Sequence, residues 1–141
     1  MPNIHPLVVH FPIALLTMAL VFDLLGAYSE KREFERVGWW GMVAGVLGLA
    51  AAILSGLRAE SAMEMEQSVI GTFEQHEQTA FVVAGIFCGL LFWRMGTGTL
   101  LPQRFRTIFL SLYLFGTLLM WLGAWYGGIL VYHYGLGVGG S

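Results

Sequence analysis

The stretch VGWWGMVAGVLGLAAAILSGL, residues 37–57, decides the fold. It carries no charge, and a helix needs roughly 20 mainly apolar residues to cross a hydrocarbon core about 30 Å thick. Lipid offers no hydrogen-bond partners, so such a run must satisfy its own backbone as a helix. Three further runs have the same character. One covers about 7–28 and carries a single charge, Asp23. One covers 76–95, around the apolar stretch from Thr79 to Trp93. The last covers 107–134 and is long enough to tilt or project beyond the lipid. The expected fold is all-α: an integral membrane four-helix bundle, up-down, with short connections, in a single domain over 1–141.

Composition agrees. Hydrophobic residues make up 57% of the chain and charged residues 11%, against about 25% charged in soluble domains. A net charge of -2 leaves no basic surplus for phosphates, so nucleic acid is not an expected partner. Cys88 is the single cysteine, which excludes an internal disulfide and reads as a packing residue. No Lys or Arg precedes Lys31, so a cleavable signal is not expected and the first helix is retained. That helix starts near His10 with Pro12 in its first turn, or near Pro6 with Pro12 as a kink. No internal repeat is evident in the residues.

Charge sets the orientation. Lys31, Arg32 and Arg36 lie in the first connection, and Arg94, Arg104 and Arg106 in the third. Both connections fall on one side, which thus holds six of the seven basic residues. The second connection holds Arg58 with Glu60, Glu64, Glu66, Glu74 and Glu77. The positive-inside rule puts the basic side in the cytoplasm. Both termini and the acidic loop then face the periplasm. Asp23 lies toward the basic end of its helix and is expected to pair with an arginine or to cap an interhelical contact.

The four histidines, His5, His10, His76 and His133, all fall at outer helix ends in this topology. Helices one and three run the same way and lie diagonally in a simple bundle. His10 is followed on its face by Ala14 and Thr17, and His76 by Thr79 and Ala80. His10 and His76 are therefore the expected pair of cofactor ligands: two imidazoles facing each other, with small residues one turn deeper. His5 lies about 7 Å further out if the chain there is helical and is expected to matter least. His133 is intermediate. Glycines add to this picture. Gly41, Gly45, Gly48 and Gly56 in helix two, and Gly116, Gly123, Gly127 and Gly128 in helix four, have the spacing that lets helices approach closely. Those nearest the outer end, Gly56 and Gly127 above all, also suit a flat cofactor. Other readings stay open: zinc or copper held by His10, His76 and His133 with Glu74 or Glu77 nearby, proton handling, or histidines that merely sit in the interface.

The opening IHPLVVHFPIALL, residues 4–16, resembles the signature of a family of small bacterial four-span membrane proteins of unknown function. The shared pattern is His-Pro-x-x-Val-His-Phe-Pro, here His5, Pro6, Val9, His10, Phe11 and Pro12. A glycine-rich ending around Leu130, Val131 and Tyr132, then Gly135, Gly137 and Val138, extends the likeness over nearly the whole chain. Members often carry a histidine one place after His133, where this chain has Tyr134. Similar domains occur fused to, or encoded beside, c-type cytochrome domains, so the resemblance implies redox work in a bacterial inner membrane.

The expectation that joins these readings is a haem-b-binding membrane cytochrome, an electron carrier more than an enzyme. It would exchange electrons at the periplasmic face with a c-type cytochrome or a quinone. The rival is a non-redox subunit, a homo-oligomer or part of a larger membrane complex, in contact with lipid and packing through its glycine faces. The orientation is directly testable. In a background without Cys88, a cysteine at Glu33 should stay unlabelled by an impermeant thiol reagent on intact cells, while one at Glu74 should label. The reverse pattern would invert the topology.

Overall fold

In lipid, large apolar side chains gain little by turning inward, so helices approach where their side chains are small. A computed structural model describes residues 4–61 and 66–136 of this chain. Glu64 of the acidic loop, and Gly137, Val138 and the rest of the tail to Ser141, lie outside the described residues. The described residues are helical without strands: α1 (His5–Val8), α2 (His10–Ser29), α3 (Arg32–Glu60), α4 (Gln67–Thr97) and α5 (Arg106–Tyr132), with a 3-10 turn at Gln103–Phe105. α1 and α2 form one span. Pro12 has no N–H for the Val8 carbonyl, and the helix is interrupted at Val9, which keeps helical angles (φ -62°, ψ -25°). The four long helices are each apolar and long enough to cross a membrane.

α2 packs along α3, and α4 along α5; α2–α5 and α3–α4 are looser contacts, and α2 lies diagonally to α4. The glycines explain the tight pairs. A Cβ on Gly41 would come within 3.0 Å of Ala19, and one on Gly45 within 2.6 Å of Leu16. In α5, a Cβ on Gly116 would come within 2.9 Å of Ile86. Leu16, Met42, Phe87, Phe109 and Tyr113 form the centre of the core, each fully buried. Trp40, Phe92 and Trp125 point outward, as expected for a bundle whose solvent is lipid. Tight connections close the basic end. Glu30 takes the left-handed conformation (φ 57°) after α2, and Gly98 ends α4 at φ 96°, a region open to glycine.

Near that end lies a buried ion pair. Arg94 Nη1 donates to Asp23 Oδ2 at 2.6 Å, and Nη2 to Oδ1 at 3.0 Å, with both side chains fully buried. Nη2 also donates to the Glu35 carbonyl at 2.6 Å, and Nε to the Thr99 carbonyl at 3.2 Å. The guanidinium lies 5.8 Å from the Trp39 ring centre and 6.0 Å from that of Phe109. A Cβ on Gly38 would overlap the Asp23 carboxylate, so glycine opens the space for the pair.

Breaking a buried pair strands a charge at a cost of about 3–5 kcal/mol, while replacing both partners by apolar residues is far milder. Asp23→Ala and Arg94→Ala should each destabilise the detergent-solubilised protein by about that much. Asp23→Leu combined with Arg94→Met should lose less than either single change in the same unfolding measurement. A double variant as unstable as the worse single would show that the hydrogen bonds, not the stranded charge, dominate.

Candidate functional site

The inner face of the first span runs His5, Pro12, Leu16, Ala19, Asp23, at steps of seven, four, three and four, the spacing of one helix face. Pro12, Leu16, Ala19 and Asp23 are buried, and His5 extends their line to the outer end of the bundle. His10 falls off this line, because five helical residues turn the chain by about 140°. Its side chain is exposed, and its Nδ1–H donates to the Pro6 carbonyl at 2.6 Å on its own helix. The imidazole that meets His76 is therefore His5 and not His10. The two ring centres lie 6.2 Å apart with their planes at 79°.

α3 makes this possible. It continues to Glu60, beyond the expected end at Leu57, and its Ser55 and Gly56 flank His5. The Ser55 hydroxyl donates to the Ala52 carbonyl at 2.8 Å. Its oxygen therefore accepts from His5 Nδ1–H at 2.9 Å. On the other side, His76 Nδ1–H donates to the Gly123 carbonyl at 2.9 Å. With Nδ1 protonated in both neutral rings, Nε2 carries the lone pair. Each ring is also backed by a glycine. A Cβ on Gly56 would come within 3.1 Å of His5 Cε1, and a Cβ on Gly127 within 3.1 Å of His76 Cε1.

The pair lines a cavity of about 380 Å³ at the end of the bundle opposite the basic connections, reached by all four spans. This is within the ~300–1,000 Å³ usual for small-molecule sites. The walls are mainly apolar, from Val9, Ile53, Phe73 and Ala124, with Glu60 and Glu77 among the lining residues. Gly128 also lines it, with nothing within 4 Å of where its Cβ would be. His133 does not line this cavity. It is exposed just past the end of α5, its ring 4.8 Å from that of Tyr134. Among the described residues, no group of three or more His, Cys, Asp or Glu side chains is placed to hold a metal ion. His10, His76 and His133 are thus not gathered as a zinc or copper site among the described residues: His10 borders the same cavity but is exposed and bonded to its own helix, and His133 lies past the end of α5.

A family model described as Predicted membrane protein (DUF2231) matches residues 1–140. The chain belongs to this family. No curated protein and no solved structure is significantly similar to it. The family description says that its members lie in the membrane and leaves their activity open, so the chemistry must be read from the histidine pair.

Sequence reasoning placed all four histidines in one layer but chose the wrong partner for His76. The signal that finds the right one is the step of seven from His5 to Pro12, matched by the step of seven from His76 to the buried Val83. The tautomers are testable by nitrogen-15 NMR of labelled protein in detergent. Both His5 and His76 should show protonated Nδ1, and Ser55→Ala should perturb His5 while leaving His76 unchanged. Protonated Nε2 in either ring would contradict the hydrogen bonding described here.

Proposed function

We propose that this protein is a membrane haem-b carrier in which His5 and His76 would hold the haem iron. The carrying observation is the facing pair of imidazoles. Two imidazoles that hold one metal ion from opposite sides have ring centres about 6.3 Å apart, from bonds of about 2.0–2.1 Å and about 1.1 Å between nitrogen and ring centre. His5 and His76 stand at 6.2 Å. Each ring is oriented by an Nδ1 hydrogen bond, the usual device for presenting Nε2 to a metal. A set of two imidazoles leaves zinc short of its four ligands but completes a six-coordinate haem iron. Gly56 and Gly127 leave room for the rings beside helices α3 and α5, and the apolar cavity supplies burial.

When bound, the haem would supply a reversible one-electron couple. The chain's own residues would orient the ligands, exclude water and set the dielectric around the iron. The site lies at the end of the bundle opposite the basic connections, which the positive-inside rule turns toward the periplasm of a bacterial inner membrane. Glu60, Glu66, Glu74 and Glu77 surround that end of the chain and favour docking of a basic partner such as a c-type cytochrome. A quinone entering from the lipid is the other candidate partner.

Purified protein, expressed with haem or titrated with it in detergent, should give the Soret and sharp α bands of a six-coordinate low-spin haem. His5→Ala and His76→Ala should each lose most of the bound haem. His10→Ala and His133→Ala should keep at least half. Gly56→Leu and Gly127→Leu should lower haem content by displacing the rings. Haem content untouched by both His5→Ala and His76→Ala would defeat the assignment.

A further inference from the structure

The buried faces of the two hairpins correspond residue for residue. On α2 the inner positions are Pro12, Leu16, Ala19 and Asp23; on α4 they are Val83, Phe87, Leu90 and Arg94. Moving from 5 to 76 is a shift of 71, and the same shift carries each member of the first set onto the second. The buried line on α3, Gly38, Met42, Gly45, Leu49 and Ala52, maps in the same way onto Phe109, Tyr113, Gly116, Met120 and Gly123 of α5.

Contacts repeat with the positions. Gly45 faces Leu16, and Gly116 faces Phe87 at 3.4 Å beside the closer Ile86. Gly56 backs His5 at 3.1 Å as Gly127 backs His76 at 3.1 Å. His5 Nδ1 is bonded to Ser55 on α3, and His76 Nδ1 to the Gly123 carbonyl on α5. Phe22 and Phe34 stack at 6.1 Å, and so do Trp93 and Phe105. α3 begins at Arg32, and the 3-10 turn that leads into α5 begins at Gln103. The diagonal placement of α2 against α4 is what a two-fold axis between the hairpins produces.

We infer that the chain is a tandem duplication of one helical hairpin, and that the outer site is built across its pseudo-two-fold axis from the same histidine of each copy. Parallel repeats of this kind are related by an axis along the membrane normal. A group bound on that axis meets equivalent ligands from both sides. The site therefore takes one planar metal macrocycle held by two equivalent imidazoles, not two haems and not a tetrahedral metal. This ligand class rests on the haem reading above; the duplication does not. At the other end the axis passes Asp23 and Arg94, the same position in each copy. Two identical ionised residues there would repel. Opposite charges turn this point into a clamp and make the two halves non-interchangeable.

The two parts separate experimentally in the full chain. Asp23→Arg and Arg94→Asp alone should each lower the thermal midpoint strongly. The combined exchange should recover at least half of that loss, because equivalent positions accept each other's residue; a combined variant no better than the worse single overturns the duplication. For the site, wild type should bind one haem per chain. Its ferric form should give the strongly anisotropic low-spin resonance of crossed imidazole planes, matching the 79° between the rings. His5→Gly and His76→Gly should each give the same five-coordinate spectrum, and added imidazole should restore the six-coordinate form in both. Two haems per chain, or a His5→Gly protein that stays six-coordinate without imidazole, overturns the two-fold site. If wild type takes up no haem, the haem reading falls by itself, and the charge exchange alone decides the duplication.

Discussion

Everything at the basic end of the bundle is organised around the Asp23–Arg94 pair. A buried charge in a low-dielectric surrounding is costly unless it is neutralised and its hydrogen-bonding capacity used. Here the carboxylate takes both terminal guanidinium nitrogens, while the Glu35 and Thr99 carbonyls take two further N–H groups. These partners come from α2, α3 and the connection after α4, so one side chain ties three parts of the chain together. The Glu35 carboxylate adds a fourth link by accepting the Leu101 N–H at 3.0 Å. Buried pairs are poor sources of net stability but good sources of specificity. This pair joins the two hairpins at one buried point, α2 to α4, with Glu35 of α3 as a further partner.

Away from that clamp, close approach replaces the hydrophobic effect as the organising force. Lipid tails are as apolar as the side chains they touch, so helices associate through packing and a few hydrogen bonds. α3 and α5 carry most of the closely packed glycines, and α2 and α4 carry most of the side chains that fill the space above them, Gly26 of α2 under Glu35 being the reverse case. Two longer-range bonds tie α5 to α2: Tyr113 donates to the Leu16 carbonyl at 3.2 Å, and Trp121 Nε1 to the Thr17 hydroxyl at 3.2 Å. At the outer end the same glycine pattern changes its partner from aliphatic side chains to imidazoles. The cavity there opens beside Gly56, Gly123, Gly127 and Gly128 and is walled by larger side chains such as Ile53, Phe73 and Leu130.

The repeat was invisible in the letters because lipid and a mixed apolar core place few demands on identity. Leu16 and Phe87 both fill the space over a glycine, and Met42 and Tyr113 both fill the centre, so equivalent positions diverged freely. Identity persisted at His5 and His76 and at the glycines that back them. At the basic end divergence went further, to opposite charges at 23 and 94, which hides the equivalence in any comparison that scores similarity.

The sequence by itself determined the membrane class, the four spans, the common layer of histidines and the charge asymmetry of the connections. Each depends on length, hydropathy and order along the chain, which are local quantities. For Asp23 it offered an arginine partner or an interhelical cap, and the structure shows the first, with Arg94. Which histidine faces His76 was left to the tertiary structure. His5 and His10 are near neighbours in sequence but point about 140° apart on a helix, so only one can turn inward. The seating of Pro12 over Gly48, at 3.3 Å from where a Cβ would stand, sets that rotation and turns His5 inward. Ser55 and Gly56 of α3 then flank His5. Rotation about a helix axis is fixed by what the neighbouring helix offers, and only the assembled bundle contains that information.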